Sequence, residues 1–101
     1  MKHSLSNAQF KIIFAESKSL QVGDLLFKYK KDVDPKLGFI VSRKYGNAIK
    51  RNLFKRRCRI QFEALVKGGF TNTLIIIPNR QNIAWTTINT SFNKLVNRLS
   101  D

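Results

Sequence analysis

Acidic side chains are scarce in this 101-residue sequence: six Asp and Glu stand against nineteen Lys and Arg, for a formal charge of +13. Solubility does not require so large an excess of one sign, so the expected partner is a polyanion. Cysteine is nearly absent, and Cys58 alone cannot close an intramolecular disulfide. The fold must therefore rest on its core, and a reducing compartment fits. Apolar runs are short: none exceeds the four residues of Leu74 to Ile77, which has strand length, far below the ~20 residues of a membrane-spanning helix. Met1 to Asn7 has basic residues but no apolar stretch behind them, which does not read as a secretory signal, so the expected location is cytoplasmic, with no membrane partner. Two prolines, five glycines and 43% hydrophobic residues exclude a disordered or linker-rich chain. With no internal repeat, one domain over residues 1–101 is expected.

Catalytic groups are equally thin. Hydrolysis of a phosphodiester by the chain itself asks for clustered carboxylates around metal ions or for a histidine pair. The only histidine is His3, and Glu16, Asp24, Asp32, Asp34, Glu63 and Asp101 are scattered. Only Asp32 and Asp34 have ligand spacing, and turn chemistry beside Pro35 accounts for them. No Walker loop, dinucleotide fingerprint or zinc spacing occurs. Cys58 falls on an apolar helix stripe and reads as a packing thiol. No catalytic and no metal-holding residue is expected in this chain.

Hydrophobic periodicity gives the order α-β-β-β-α-β-α, an α+β sandwich of a small sheet and helices. Ser6 and Gln9 form a capping-box pattern before Phe10, Ile13 and Phe14, predicting a helix over about 6–16. Alternation predicts strand from Ser19 to Lys31, interrupted near Gly23-Asp24, then a hairpin turn at Asp32-Val33-Asp34-Pro35 and a strand over 37–43. Gly46-Asn47 and the absence of Gly or Pro from Ala48 to Lys67 predict a long central helix, with Phe54, Cys58, Phe62 and Leu65 as its core stripe. Leu74 to Ile77 reads as a strand buried on both faces and ended by Pro78. Ile88, Phe92, Leu95, Val96 and Leu99 mark a last helix behind Thr86 and Thr87 as caps.

Between Arg43 and Arg59, seventeen residues hold eight basic side chains (Arg43, Lys44, Lys50, Arg51, Lys55, Arg56, Arg57, Arg59) and no acid. Like charges one turn apart cost a helix a few tenths of a kcal/mol per pair, so an external anion is expected to offset them. Phosphates do so, and their neutralisation releases counterions. The alternatives are a solvated helix face or a membrane-surface helix; the total lack of acids and the global charge favour nucleic acid. RNA is favoured over DNA, because a strand and not a second helix precedes the basic helix. Phe10, Phe14 and Phe27 are either core residues or platforms for splayed bases.

Gly38-Phe39-Ile40-Val41-Ser42-Arg43-Lys44 followed by Gly46-Asn47-Ala48, Arg51-Asn52, Lys55-Arg56 and Arg59 resembles the protein component of bacterial ribonuclease P. The resemblance extends to Gln9-Phe10 with Phe14 and to Leu74–Ile77, and covers nearly the whole chain. It implies a two-layer α/β sandwich whose central helix joins two parallel strands by a left-handed crossover, against the usual hand. It implies an accessory subunit of an endoribonuclease, assisting an RNA catalyst that removes the 5′ leader of precursor tRNA with magnesium held mainly by that RNA. Arg43, Lys44, Asn47, Lys50, Arg51, Asn52, Lys55, Arg56 and Arg59 would face the RNA subunit. Phe10, Phe14, Lys28 and Ser42 would touch the leader. Neither DNA nor an obligate protein partner is implied. A structural RNA-binding protein, such as a ribosomal one, is the alternative from another class. Leu53 stands where the family usually has Arg, and Arg57 where an aliphatic residue is usual.

Overall fold

The computed structural model describes residues 3–100. Ser6 caps α1 (Asn7–Glu16) with the reciprocal bonds the sequence predicts: Gln9 N–H donates to Ser6 Oγ at 3.2 Å, and Ser6 N–H donates to the Gln9 side chain at 3.0 Å. Gly23, at φ 58°, turns the chain between β1 (Lys18–Val22) and β2 (Leu25–Lys31), which pair antiparallel. Then follow β3 (Leu37–Phe39), a single 3-10 turn at Arg43–Tyr45, α2 (Ala48–Lys67), β4 (Asn72–Pro78) and α3 (Trp85–Leu99). The strand order is β1-β2-β4-β3, with β2 antiparallel and β3 parallel to β4. This is the expected α+β element order.

Three local expectations are corrected. Asp32 to Pro35 turns the chain but closes no hairpin, because β4 lies between β2 and β3. Asp34 N–H donates to Asp32 Oδ1, Thr73 Oγ–H donates to Asp32 Oδ2, and Lys36 N–H donates to Thr73 Oγ, so the turn is fastened to the later strand. The strand expected over 37–43 ends at Phe39, with Ile40 N–H making a last bond to Ile76 C=O at 3.0 Å. Alternation continues to Val41 because Val41 packs on the core, which records burial and not pairing. Finally, α3 begins at Trp85 behind Ala84, which offers no side-chain cap, and Thr86 and Thr87 lie inside its first turn.

Alternation sorts the sheet. Leu25, Phe27, Leu37, Leu74 and Ile76 join Phe54, Cys58 and Phe62 of α2 and Ile88, Phe92 and Leu95 of α3 in one buried cluster. Burying each such side chain contributes roughly 1.5–3 kcal/mol. Phe27 is fully buried, edge-on to Phe92 at 5.3 Å between centroids, so it is a core residue and not a base platform. The opposite face carries Leu26, Lys28, Gly38, Ile75 and Ile77. There α1 crosses at Gly38, where a Cβ would lie 2.8 Å from Leu5 Cδ1 and 3.0 Å from the Phe10 ring. Any larger residue at Gly38 would push the Leu5 side chain and the Phe10 ring off the sheet.

Candidate nucleic-acid interface

Tyr45 fixes the basic corner. It is buried, its ring centroid 5.0 Å from that of Phe54, and its Oη accepts the Ile83 N–H at 3.1 Å. Anchored on one side, the 3-10 turn leaves Arg43 and Lys44 in solvent. Gly46, at φ 156°, then carries the chain to Asn47, whose Oδ1 accepts the Lys50 N–H at 2.9 Å as the cap of α2. A Cβ at Gly46 would meet Lys50 Cδ at 3.0 Å, so the lysine stem lies over the glycine backbone. The first turn of α2 carries no acid, so its unpaired N–H groups and dipole add to the positive potential.

The eight cations between Arg43 and Arg59 enter no ion pair among the described residues; the pairs present are Lys30–Glu16, Lys36–Asp34 and Arg80–Asp24. Arg51 Nε is buried and has no hydrogen-bond partner among the described residues. Such a donor costs free energy until an acceptor arrives. Helix geometry divides the predicted set. Arg51, Asn52, Lys55, Arg56 and Arg59 share an arc of roughly 140° at 3.6 residues per turn, and Arg59 stacks its guanidinium 5.6 Å from the Phe39 ring at the β3 edge. Lys50 falls on the other flank with Arg57, whose guanidinium lies 5.6 Å from the Trp85 ring. The structure thus does not place Lys50 beside the other predicted contacts on α2.

On the α1 face, Lys28 Nζ sits 4.5 Å from the centroid of Phe14 and donates to Ser19 Oγ at 3.2 Å. Phe14 is 43% exposed, whereas Phe10 is half-buried against Gly38; their rings are nearly parallel at 6.4 Å between centroids. Ser42 is not beside them. It lines a separate cleft of about 440 Å³ with Ile40, Lys44, Ile77 and Arg80. Leu26 pairs with Ile77 one step along from the Lys28–Ile75 pair, so an apolar floor joins the two places.

Sequence reasoning missed the Tyr45 anchor and the Arg57–Trp85 contact; an aromatic between two cations and Gly46-Asn47 was the available signal for the first, and nothing local signals the second. Burial pushes the Cys58 thiol well above its ordinary range, opposed in part by Arg59, which leaves it protonated and unreactive. Among the described residues no group of three or more His, Cys, Asp or Glu is placed to hold a metal ion, and no helix is long and apolar enough to cross a membrane.

Comparison with known proteins gives concordant findings. The family model for ribonuclease P matches residues 2–100. A ribonuclease P protein component of Mesomycoplasma hyopneumoniae strain 7448 is 30% identical over 91 residues, spanning 88% of this chain and 81% of that one. Among solved structures, the RNase P protein from Thermotoga maritima superimposes with a TM-score of 0.75 at 29% identity, covering 94% of this chain and 96% of the other. The Staphylococcus aureus RNase P protein gives a TM-score of 0.78 at 23% identity over 98% and 95%, a likeness of fold.

Proposed function

We propose, for a chain that belongs to the ribonuclease P protein family, a division of labour in which this protein binds and an RNA subunit cuts. As a protein component of ribonuclease P it is an RNA-binding subunit in tRNA processing. In the proposed arrangement Arg51, Asn52, Lys55, Arg56 and Arg59 meet phosphates of the RNA subunit, with Arg43, Lys44 and Asn47 at the corner before them. Lys50 contacts RNA from the opposite flank. The 5′ leader of precursor tRNA runs across the α1 face of the sheet, from Phe14 and Lys28 along Leu26 and Ile77 to Ser42. Phe10 supports that track from below by packing on Gly38.

Among the described residues no group of three or more His, Cys, Asp or Glu is placed to hold a metal ion. Magnesium, in this reading, is held by the RNA. What the chain's residues do is bind, orient and neutralise: a charged groove with an aromatic edge suits extended single-stranded nucleic acid, and unpaired cations suit a folded polyanion. The observation that carries the reading is the run of eight basic side chains left without carboxylate partners among the described residues. The experiment adds the purified chain to ribonuclease P RNA and precursor tRNA at low magnesium. Stimulated 5′ cleavage is expected; binding without stimulation would assign a purely structural role, and cleavage without the RNA subunit would place catalysis in the protein.

A further inference from the structure

We infer that the outer face of α2 seats on the minor groove of a double-helical segment of the RNA subunit; this rests on the function proposed above and adds the shape of the RNA engaged. Ile49, Leu53 and Ile60 are 78%, 43% and 50% exposed. At 3.6 residues per turn they lie within roughly 40° of one another about the helix axis, on the side away from Phe54, Cys58 and Phe62. They form an apolar ridge in solvent. Lys50 and Arg57 stand on one side of it, with Arg57 held over Trp85. Arg56 borders the other side, and Lys55 and Arg59 lie beyond, with Arg59 held over Phe39 and Glu63, a turn further along the helix, the one acid on that flank.

Charge selects the occupant. A second copy of α2 laid on this face would bring two sets of unpaired cations together, with Glu63 the only acid on either helix. A polyanion faces no such repulsion. Shape selects among polyanions. Splayed single strands need stacking platforms, and the ridge is aliphatic. A helix that only tracked phosphates would have no use for three exposed aliphatic side chains. An A-form duplex offers a wide, shallow minor groove lined by ribose hydroxyls and base edges, with a phosphate strand along each rim. The ridge meets the groove floor, and the two cationic flanks meet the two strands.

The test uses the full chain bound to ribonuclease P RNA, with an iron chelate tethered through Leu53→Cys; Cys58 is buried and does not compete. Hydroxyl-radical cuts on both strands of one duplex, offset across its minor groove, are expected. Cuts confined to a loop, or none, overturn the inference. In parallel, Leu53→Ser with Ile60→Ser should weaken binding about five- to tenfold without changing the slope of log affinity against log salt. Arg57→Ala should flatten that slope by about one unit. Unchanged affinity in the double serine variant overturns the ridge contact while the proposed function stands; failure of the unaltered chain to bind the RNA removes both.

Discussion

Tyr45 and Ile83 are 38 residues apart in sequence and meet in the core, where the Ile83 N–H donates to Tyr45 Oη at 3.1 Å. That bond ties the turn carrying Arg43 and Lys44 to the loop that carries Arg80 and leads into α3. The basic corner is therefore positioned from beneath by a buried aromatic residue.

Tyr45→Phe should leave the Ile83 N–H unpaired at a cost of about 1–3 kcal/mol, which lowers the melting temperature by several degrees in a domain of this size. Burial raises the Tyr45 pKa above its ordinary 10.0, against the opposing pull of the Ile83 N–H. A raised folded value means that the stabilisation is complete below about pH 10 and is lost as the pH climbs through that folded value. Melts of the unaltered chain and of Tyr45→Phe should therefore converge above pH 10; a constant gap would show that the hydroxyl does not matter in this way.

Phe10 and Phe14 should separate in their effects. Phe14→Ala removes a half-exposed ring and should reduce affinity for leader-bearing precursor more than for mature tRNA, by about 1–3 kcal/mol if a base stacks there, with little change in melting temperature. Phe10→Ala empties the space over Gly38 and should destabilise the fold by about 2–4 kcal/mol. Equal losses toward precursor and mature tRNA for Phe14→Ala would remove the leader from this ring.

Arg56→Ala, at an exposed site, should weaken binding to ribonuclease P RNA and reduce the salt dependence by about one unit of slope. Arg51→Ala should do the same and, by deleting a buried unpartnered Nε, should cost the free protein little stability. An unchanged slope for either variant places that side chain away from phosphate.

Cys58 should resist alkylation in the folded protein at neutral pH and react at once in urea, because burial raises its pKa and closes access. Labelling kinetics then report global opening. Rapid labelling of the folded chain would mean that α2 lifts from the sheet on its own.

Much of this molecule is legible in its sequence. The central helix was bounded by Asn47 at its start and glycines at its end, and Phe54, Cys58 and Phe62 declared its buried side at helical spacing. The mostly cationic character of the remaining arc follows from the same count, although the side directly opposite the core carries Ile49, Leu53 and Ile60. Strand neighbours were not legible, since the turn at Asp32–Pro35 has the same local chemistry whether or not the strands it joins are paired. Phe10 and Phe14 share one helix face in the sequence pattern; what divides them is Gly38, a residue from a distant strand. Proximity along the chain groups Lys50 with the other basic residues, whereas rotation about the helix axis separates it from Arg51, Lys55, Arg56 and Arg59.

β4 fills the middle of the sheet, yet it is the last of the strands in chain order. During synthesis β2 and β3 leave the ribosome without the neighbour they share, and α2 emerges before β4 and α3, which complete the surface that covers its apolar stripe. Until residues 72–78 arrive, the nascent protein presents its basic segment to a ribosome rich in RNA phosphates, and long-range pairing must close around it. The order of translation thus exposes this chain to competing anions before its own architecture can choose among them.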